Sequence, residues 1–358
     1  MSKMLCFMNL AKPWGGGEKW HLDHALALLE QQHSLTLIAH KKGELLAKAQ
    51  KAGVPVFPFT SGNLGFLNPF KAWSLYRFFK KQHIDVLVMN FSKDLKLAAP
   101  MAKLAGVPAI VYRRGSAIPI KNTLLNRYLF GHCVTHILAN SEATKKTILQ
   151  HNPHLFPSEK IKVIYNGITP SEETRVAKSP TNPPVIGNLG RLVHQKGQDI
   201  LLDAVAELKQ RGIDCRVRIG GDGKLMDMLQ QYAQTKGVAD RVEFVGYVHD
   251  SSAFMQEIDI FVLPSRWEGF GYVLAEAMLA RKPIVAFDIS SNPELITTGL
   301  NGFLVPWGDI KAFSQAIATL IEQPELGRQL GEAGYALARQ RFDFETNKQQ
   351  VIEYLTHL

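Results

Sequence analysis

Two glutamates, Glu268 and Glu276, stand eight residues apart in the segment IDIFVLPSRWEGFGYVLAEAMLARK, residues 258–282. Between them lie Gly269 and Gly271, and an apolar helical pattern begins near Gly271. A buried strand ending at Pro264, a glycine-containing loop and a helix start make a strand–loop–helix phosphate site. Backbone N–H groups at a helix start, aided by the helix dipole, favour a diphosphate, and glycines let it come close. Helical side chains lean toward the N-terminus, so Glu276 reaches back toward such a ligand while Glu268 lies in the loop. Carboxylates placed there can accept the hydroxyls of a ribose or a sugar. Upstream, NLGRLVHQKGQDIL (188–201) sets Arg191 and Lys196 just beyond another strand, after Gly190. A guanidinium and an ammonium there can neutralise an anionic ligand such as a phosphate.

Positioning these groups requires parallel sheets. Short β-rich apolar runs alternate with helical patterns twice along the chain. Strands are expected near Met4–Met8, Ser34–Ala39, Val54–Pro58, Val86–Met89, Ala109–Tyr112 and His136–Ala139, then Val185–Leu189, Arg216–Ile219, Val242–Val245, Ile260–Leu263 and Ile284–Ala286. The stretch Thr169–Pro184, rich in Pro, Ser, Thr and charge, has no apolar periodicity and reads as a linker. The expected organisation is an N-terminal Rossmann-like domain over 1–170, a linker over 171–184, a second Rossmann-like domain over 185–341, and a helix over 342–358 folding back on the first. Paired doubly wound sheets bind ligands at the carboxyl ends of their strands, so the expected active site is the cleft between domains.

Composition narrows the class. The chain has 358 residues, 46% hydrophobic and 20% charged, which suits two ordinary cores and excludes disorder. With no run of eighteen apolar residues and no secretion signal in the opening segment, a cytoplasmic protein is expected. Cys6, Cys133 and Cys215 are far apart and lack a Cys-x-x-Cys pair, so they read as buried apolar residues. The net charge of +9 divides unevenly: +14 before about residue 180 and −5 after it. An anionic partner is therefore expected on the first half: a phosphorylated substrate, a membrane surface or nucleic acid.

The element Glu268, Gly269, Phe270, Gly271 with Glu276 resembles the Glu, seven residues, Glu hallmark of glycosyltransferase family 4. Likeness extends to Gly190, Arg191 and Lys196, to Asn166–Gly167, to GGDGKL (220–225), and to the Gly-Gly-x-Glu turn at Gly15, Gly16, Gly17 and Glu18. The resemblance covers nearly the whole chain. It implies a GT-B architecture of two facing Rossmann-like domains and sugar transfer with retention of anomeric configuration from a nucleotide-sugar donor. It assigns Glu268 to the donor sugar hydroxyls, Glu276 to the ribose, and Arg191 with Lys196 to the diphosphate. Backbone N–H groups of Phe270, Gly271, Tyr272 and Val273 serve sugar and phosphate oxygens, and Gly15 with Gly16 admit the donor from the other domain. No Asp-x-Asp element occurs, and His21 with His24 lack a third ligand, so neither metal nor cofactor is expected.

Where many family members have His-Gly after a strand, this chain has Arg114 in VPAIVYRRG, which supplies a fixed charge and cannot act as a base. Arg113 or Arg114 is expected to bind an anionic group of the acceptor or the donor phosphate. The segment NPFKAWSLYRFFKKQH (68–83) interleaves aromatics with cations, as in helices that lie on anionic membranes; a crossover helix with a core face has the same pattern, but with the basic first half weak association with an anionic membrane surface is expected. A growing surface glycan such as lipopolysaccharide core, whose anionic inner sugars suit the basic first half, is the expected acceptor. Two other readings remain: a nucleotide-sugar 2-epimerase on the same fold, and a basic nucleic-acid-binding protein, against which stands the placement of the specific motifs in the acidic half. A nicotinamide dehydrogenase is disfavoured, because no Gly-x-Gly-x-x-Gly follows either first strand.

Overall fold

The computed structural model describes residues 3–169 and 181–358. Residues 171–180 of the expected linker lie outside them. Two compact units are formed, one by the chain as far as Asn166 together with Glu345–Leu358, the other by Gly167–Phe344.

In the first unit seven strands form one parallel sheet: β1 (Met4–Asn9), β2 (Ser34–His40), β3 (Val56–Phe59), β4 (Val86–Met89), β5 (Ala109–Arg114), β6 (His136–Ala139) and β7 (Ile161–Val163), in the order β3-β2-β1-β4-β5-β6-β7. Both faces are buried, which is why these strands read as continuous apolar runs and not as alternating ones. Leu5, Phe7, Val86 and Val88 enter the core on one face, and Cys6, Met8, Leu87 and Met89 that on the other. The last helix, Phe344–His357, buries Val351, Ile352 and Leu355 in the core of the first face, and Gln31 Nε2 donates to Gln349 Oε1 at 2.8 Å.

The second unit repeats the plan with β8 (Val185–Leu189), β9 (Arg216–Gly220), β10 (Val242–Gly246), β11 (Ile260–Leu263), β12 (Ile284–Phe287) and β13 (Phe303–Val305), all parallel, in the order β10-β9-β8-β11-β12-β13. Strand order reverses between β8 and β11. Chain leaving these two neighbouring strands diverges to opposite sides of the sheet, which opens a crevice at their carboxyl ends. The three cysteines are all buried.

The helix Pro69–Gln82 has the core face expected of a crossover helix. Asn68 caps it, its Oδ1 accepting from the Lys71 N–H at 3.1 Å, and Leu75 and Phe79 enter the core. Phe70 and Trp73, however, are 83% and 59% exposed. No helix among the described residues is long and apolar enough to cross a membrane.

Candidate functional site

The loops that follow β8 and β11 meet at the strand-order reversal, and a set of cross-links holds them together. The Arg266 N–H donates to the Gln195 carbonyl at 2.7 Å, and Gln195 Nε2 donates to the Trp267 carbonyl at 2.9 Å. The Arg266 guanidinium spans both Asp199 oxygens at 2.9 and 2.6 Å, a two-point pairing that fixes direction as well as distance. That contact keeps the Asp199 carboxyl below its ordinary range in spite of the opposing effect of burial. Gly197 closes the joint. Its φ of +67° is left-handed, and a Cβ there would lie 2.1 Å from the Pro264 carbonyl oxygen, so only glycine fits.

Within this frame Lys196 Nζ donates to Glu268 Oε1 at 2.7 Å, and Ser265 Oγ donates to the same oxygen at 2.6 Å. Glu268 is only 5% exposed. Burying a carboxylate is costly unless it is paired, and here an ammonium and a hydroxyl compensate it. The aliphatic part of Lys196 passes over Gly190, where a Cβ would come within 3.4 Å of Cδ. Arg191, on the same loop, is exposed, and its carbonyl accepts from Gln198 Nε2 at 3.3 Å.

After this loop the helix Tyr272–Leu279 begins at Gly271, which adopts φ +81° as the N-cap residue without a side-chain cap. Phe270 is buried against Phe342 and Tyr272, with ring centres 5.3 and 5.5 Å apart, which anchors the turn into the helix. Tyr272, Val273 and Glu276 are half-buried on the first turns. Glu268, Lys196, Gly190, Gly271 and Glu276 thus belong to two adjoining loops and one helix start of a single unit. Ser265, Gln195, Asp199 and Arg266 complete the frame and were not singled out from the sequence.

Gly15, Gly16, Arg113 and Arg114 belong to the first unit. Gly15 is extended, and Glu18 folds over it with Oε2 3.1 Å from the place of a Cβ; Glu18 Oε1 accepts from Asn9 Nδ2 at 2.9 Å. Gly16 opens the helix Gly16–Glu30. Arg113 is 4% exposed; it donates to Asn90 Oδ1 at 2.9 Å and Asn166 Oδ1 at 3.2 Å and lies 4.4 Å from the Trp20 ring centre. It is thereby bound into the fold. Arg114, the next residue on β5, is only half-buried, and its guanidinium donates to the Tyr112 hydroxyl at 3.2 Å and to the Ile118 carbonyl.

His21 and His24 hydrogen-bond through Nδ1 to the Gly17 and Trp20 carbonyls, each at 2.7 Å. Burial drives both down to about 3, with the Arg113 charge acting in the same direction, so both are neutral at physiological pH. A carbonyl acceptor places the proton on Nδ1 and makes each histidine a core residue. Among the described residues no group of three or more His, Cys, Asp or Glu side chains could hold a metal ion.

Residues 14–172 match the family model described as Glycosyltransferase Family 4, and residues 171–337 match Glycosyl transferases group 1. The GDP-mannose-dependent alpha-(1-6)-phosphatidylinositol monomannoside mannosyltransferase of Mycolicibacterium smegmatis is 28% identical over 99% of this chain and 98% of its own length. The lipopolysaccharide core biosynthesis mannosyltransferase LpcC of Rhizobium leguminosarum is 30% identical over 56% of each chain. Among solved structures, Anabaena Alr3699/HepE in complex with UDP superposes with a TM-score of 0.85 at 26% identity, covering 99% of this chain and 100% of its own.

Proposed function

We propose a reaction for a chain that belongs to glycosyltransferase family 4 and has the GT-B architecture: transfer of a sugar, with retention of configuration, from a nucleoside diphosphate sugar held by the second unit to a glycan acceptor taken by the first. The observation that carries it is the Lys196–Glu268 pair at the strand-order reversal, beside the start of the helix Tyr272–Leu279. In this reading Glu276 accepts the ribose hydroxyls, and Glu268 accepts a hydroxyl of the sugar. The helix start, with the backbone N–H groups of Phe270, Gly271, Tyr272 and Val273, receives diphosphate and sugar oxygens. As the bond between the anomeric carbon and the phosphate oxygen breaks, its electron pair moves onto the diphosphate, where Lys196 and Arg191 stabilise the new charge. The acceptor hydroxyl attacks from the face that the nucleotide leaves and gives its proton to the departing phosphate oxygen. Two fixed cations and a helix dipole supply the charge that a divalent metal supplies elsewhere, so the reaction is proposed to need no metal.

Both UDP and GDP are in view as donor nucleotides: HepE was solved with UDP, and the mycobacterial relative is GDP-mannose-dependent. A lipopolysaccharide-core type of acceptor accords with the lipopolysaccharide core biosynthesis for which LpcC is named and with the basic first half. Exposed Phe70 and Trp73 among lysines support weak attachment of the first unit to the anionic inner face of a membrane. Neither the 2-epimerase nor the nucleic-acid reading is favoured, since the relatives just described are transferases acting on glycolipids or glycans.

The donor assignment is tested by ligand-detected binding of UDP-, GDP- and ADP-sugars to wild type and to Glu276→Ala, with and without EDTA. One nucleotide family should bind, EDTA should not matter, and Glu276→Ala should weaken binding about 10-fold or more, as expected for a lost charge-assisted hydrogen-bond pair. Binding that vanishes with EDTA or survives the substitution unchanged overturns the assignment.

A further inference from the structure

The first unit contains a pocket of about 640 Å³ at the carboxyl ends of β4 and β5, which the donor site does not use. Its lining includes Lys96, Arg114 and Lys121, together with Ser92, the first residue of the helix Ser92–Ala105, and it includes no acidic residue. That helix starts at Phe91 without a side-chain cap, so its positive end adds to the three cations. Arg114 spends two contacts on Tyr112 and Ile118, while its Nε is buried with no hydrogen-bond partner. A guanidinium has five N–H donors, so capacity remains for a further acceptor.

The surroundings are basic and apolar together. Between Glu44 and Glu142 the chain carries thirteen Lys and Arg residues, against Asp85 and Asp94 alone, and Asp94 is fully buried. On the pocket wall Ile118 is 48% and Leu125 36% exposed, and Leu124, next to Leu125 in the short helix Leu124–Tyr128, is 82% exposed beside it. On the other side Lys96 Nζ lies 5.8 Å from the Phe66 ring centre, which brings the turn Gly65–Leu67, with exposed Leu67, up to the same lysine. An anion pocket for a fully soluble ligand gains nothing from exposed leucines at its lip. Large apolar side chains left in water mark a surface that something covers.

We propose that this pocket binds the phosphate of an amphiphilic acceptor through Lys96, Arg114 and Lys121, and that Ile118 and Leu125 on its wall, with the exposed Leu124 beside them, receive the adjoining hydrocarbon. The inference rests on the transferase reading and names its acceptor class: a glycan carried on a phosphate-linked lipid. Here Arg114 in place of a histidine exchanges a titratable group for a permanent charge, which is what a phosphate subsite needs.

Calorimetric titration of the full chain with three probes below their micellar concentrations tests this: dihexanoyl phosphatidate, dihexanoyl phosphatidylcholine and inorganic phosphate. Phosphatidate is expected to bind at least 10-fold more tightly than either of the others. Lys96→Ala/Lys121→Ala should weaken phosphatidate and phosphate alike by at least 10-fold, whereas Leu124→Ser/Leu125→Ser should weaken phosphatidate alone. Both variants change exposed or half-exposed side chains, and an unchanged melting curve verifies their fold. Equal affinity for phosphatidate and phosphatidylcholine, or wild-type binding by the double lysine variant, overturns the subsite; equal affinity for phosphatidate and inorganic phosphate overturns its amphiphilic part. Nucleotide-sugar binding to the wild type is recorded separately, so a chain that binds phosphatidate and no nucleotide sugar keeps the subsite and loses the transferase reading.

Discussion

Lys196→Ala is expected to lower kcat by about 10²–10³-fold with a much smaller change in KM, the range found when one preorganised donor to a developing charge is removed. The ammonium faces little extra charge in the bound donor, but more in the transition state, where the diphosphate takes up an electron pair. An interaction that strengthens during the reaction appears in kcat. The substitution also removes the cation paired with Glu268, leaving the Ser265 hydroxyl donating to Oε1 in a nearly buried position. Glu268→Gln should consequently rescue part of the stability lost in Lys196→Ala without restoring turnover. Steady-state kinetics on both single variants and the double variant separate the two contributions, because residues in contact give non-additive effects. A Lys196→Ala enzyme with kcat within 3-fold of wild type would remove this residue from the reaction.

Gly197→Ala should be one of the most destabilising single methyl additions in the second unit. The new Cβ would lie 2.1 Å from the Pro264 oxygen and 2.9 Å from its carbonyl carbon, both backbone atoms that cannot rotate away. The left-handed φ of +67° costs about 1–2 kcal/mol by itself for a residue with a Cβ. Together they place the change among the severe substitutions, about 3–5 kcal/mol. Relief requires the loops after β8 and β11 to separate, which draws Lys196 from Glu268, and a displacement of this kind costs about 10²-fold in turnover. Gly212→Ala is the control. Its φ is +73°, but nothing lies within 4 Å of the added atom, so only the backbone term of about 1–2 kcal/mol remains. Melting temperature and kcat/KM for the pair decide the matter: similar losses in both variants would show that crowding against Pro264 is unimportant.

Much of this architecture was legible because strands buried on both faces are written as unbroken apolar runs. VLVM at 86–89 and IFVL at 260–263 admit few other readings. The edge strands β7 and β13 are not legible in the sequence, since IKV and FLV are three residues long and carry too little pattern to separate from loop. The helix start at Gly271 was readable from its glycine and the apolar periodicity behind it. The pairing of Lys196 with Glu268 was not, because the two are 72 residues apart and become neighbours only through the strand-order reversal of the sheet. Arg113 and Arg114 show the same limit. Adjacent in sequence and on one strand, they point to opposite faces, and this alone binds Arg113 to Asn90 and Asn166 while Arg114 lines a pocket.

Retaining transfer by the second unit is tested most directly by following acceptor-free cleavage of the bound nucleotide α-sugar by proton NMR, before mutarotation, in wild type and Lys196→Ala with EDTA present. The account predicts the α-anomer as the first free sugar, an unchanged configuration at C2, and a rate reduced about 10²-fold or more in the variant. Initial release of the β-anomer, or of a sugar epimerised at C2, would contradict it.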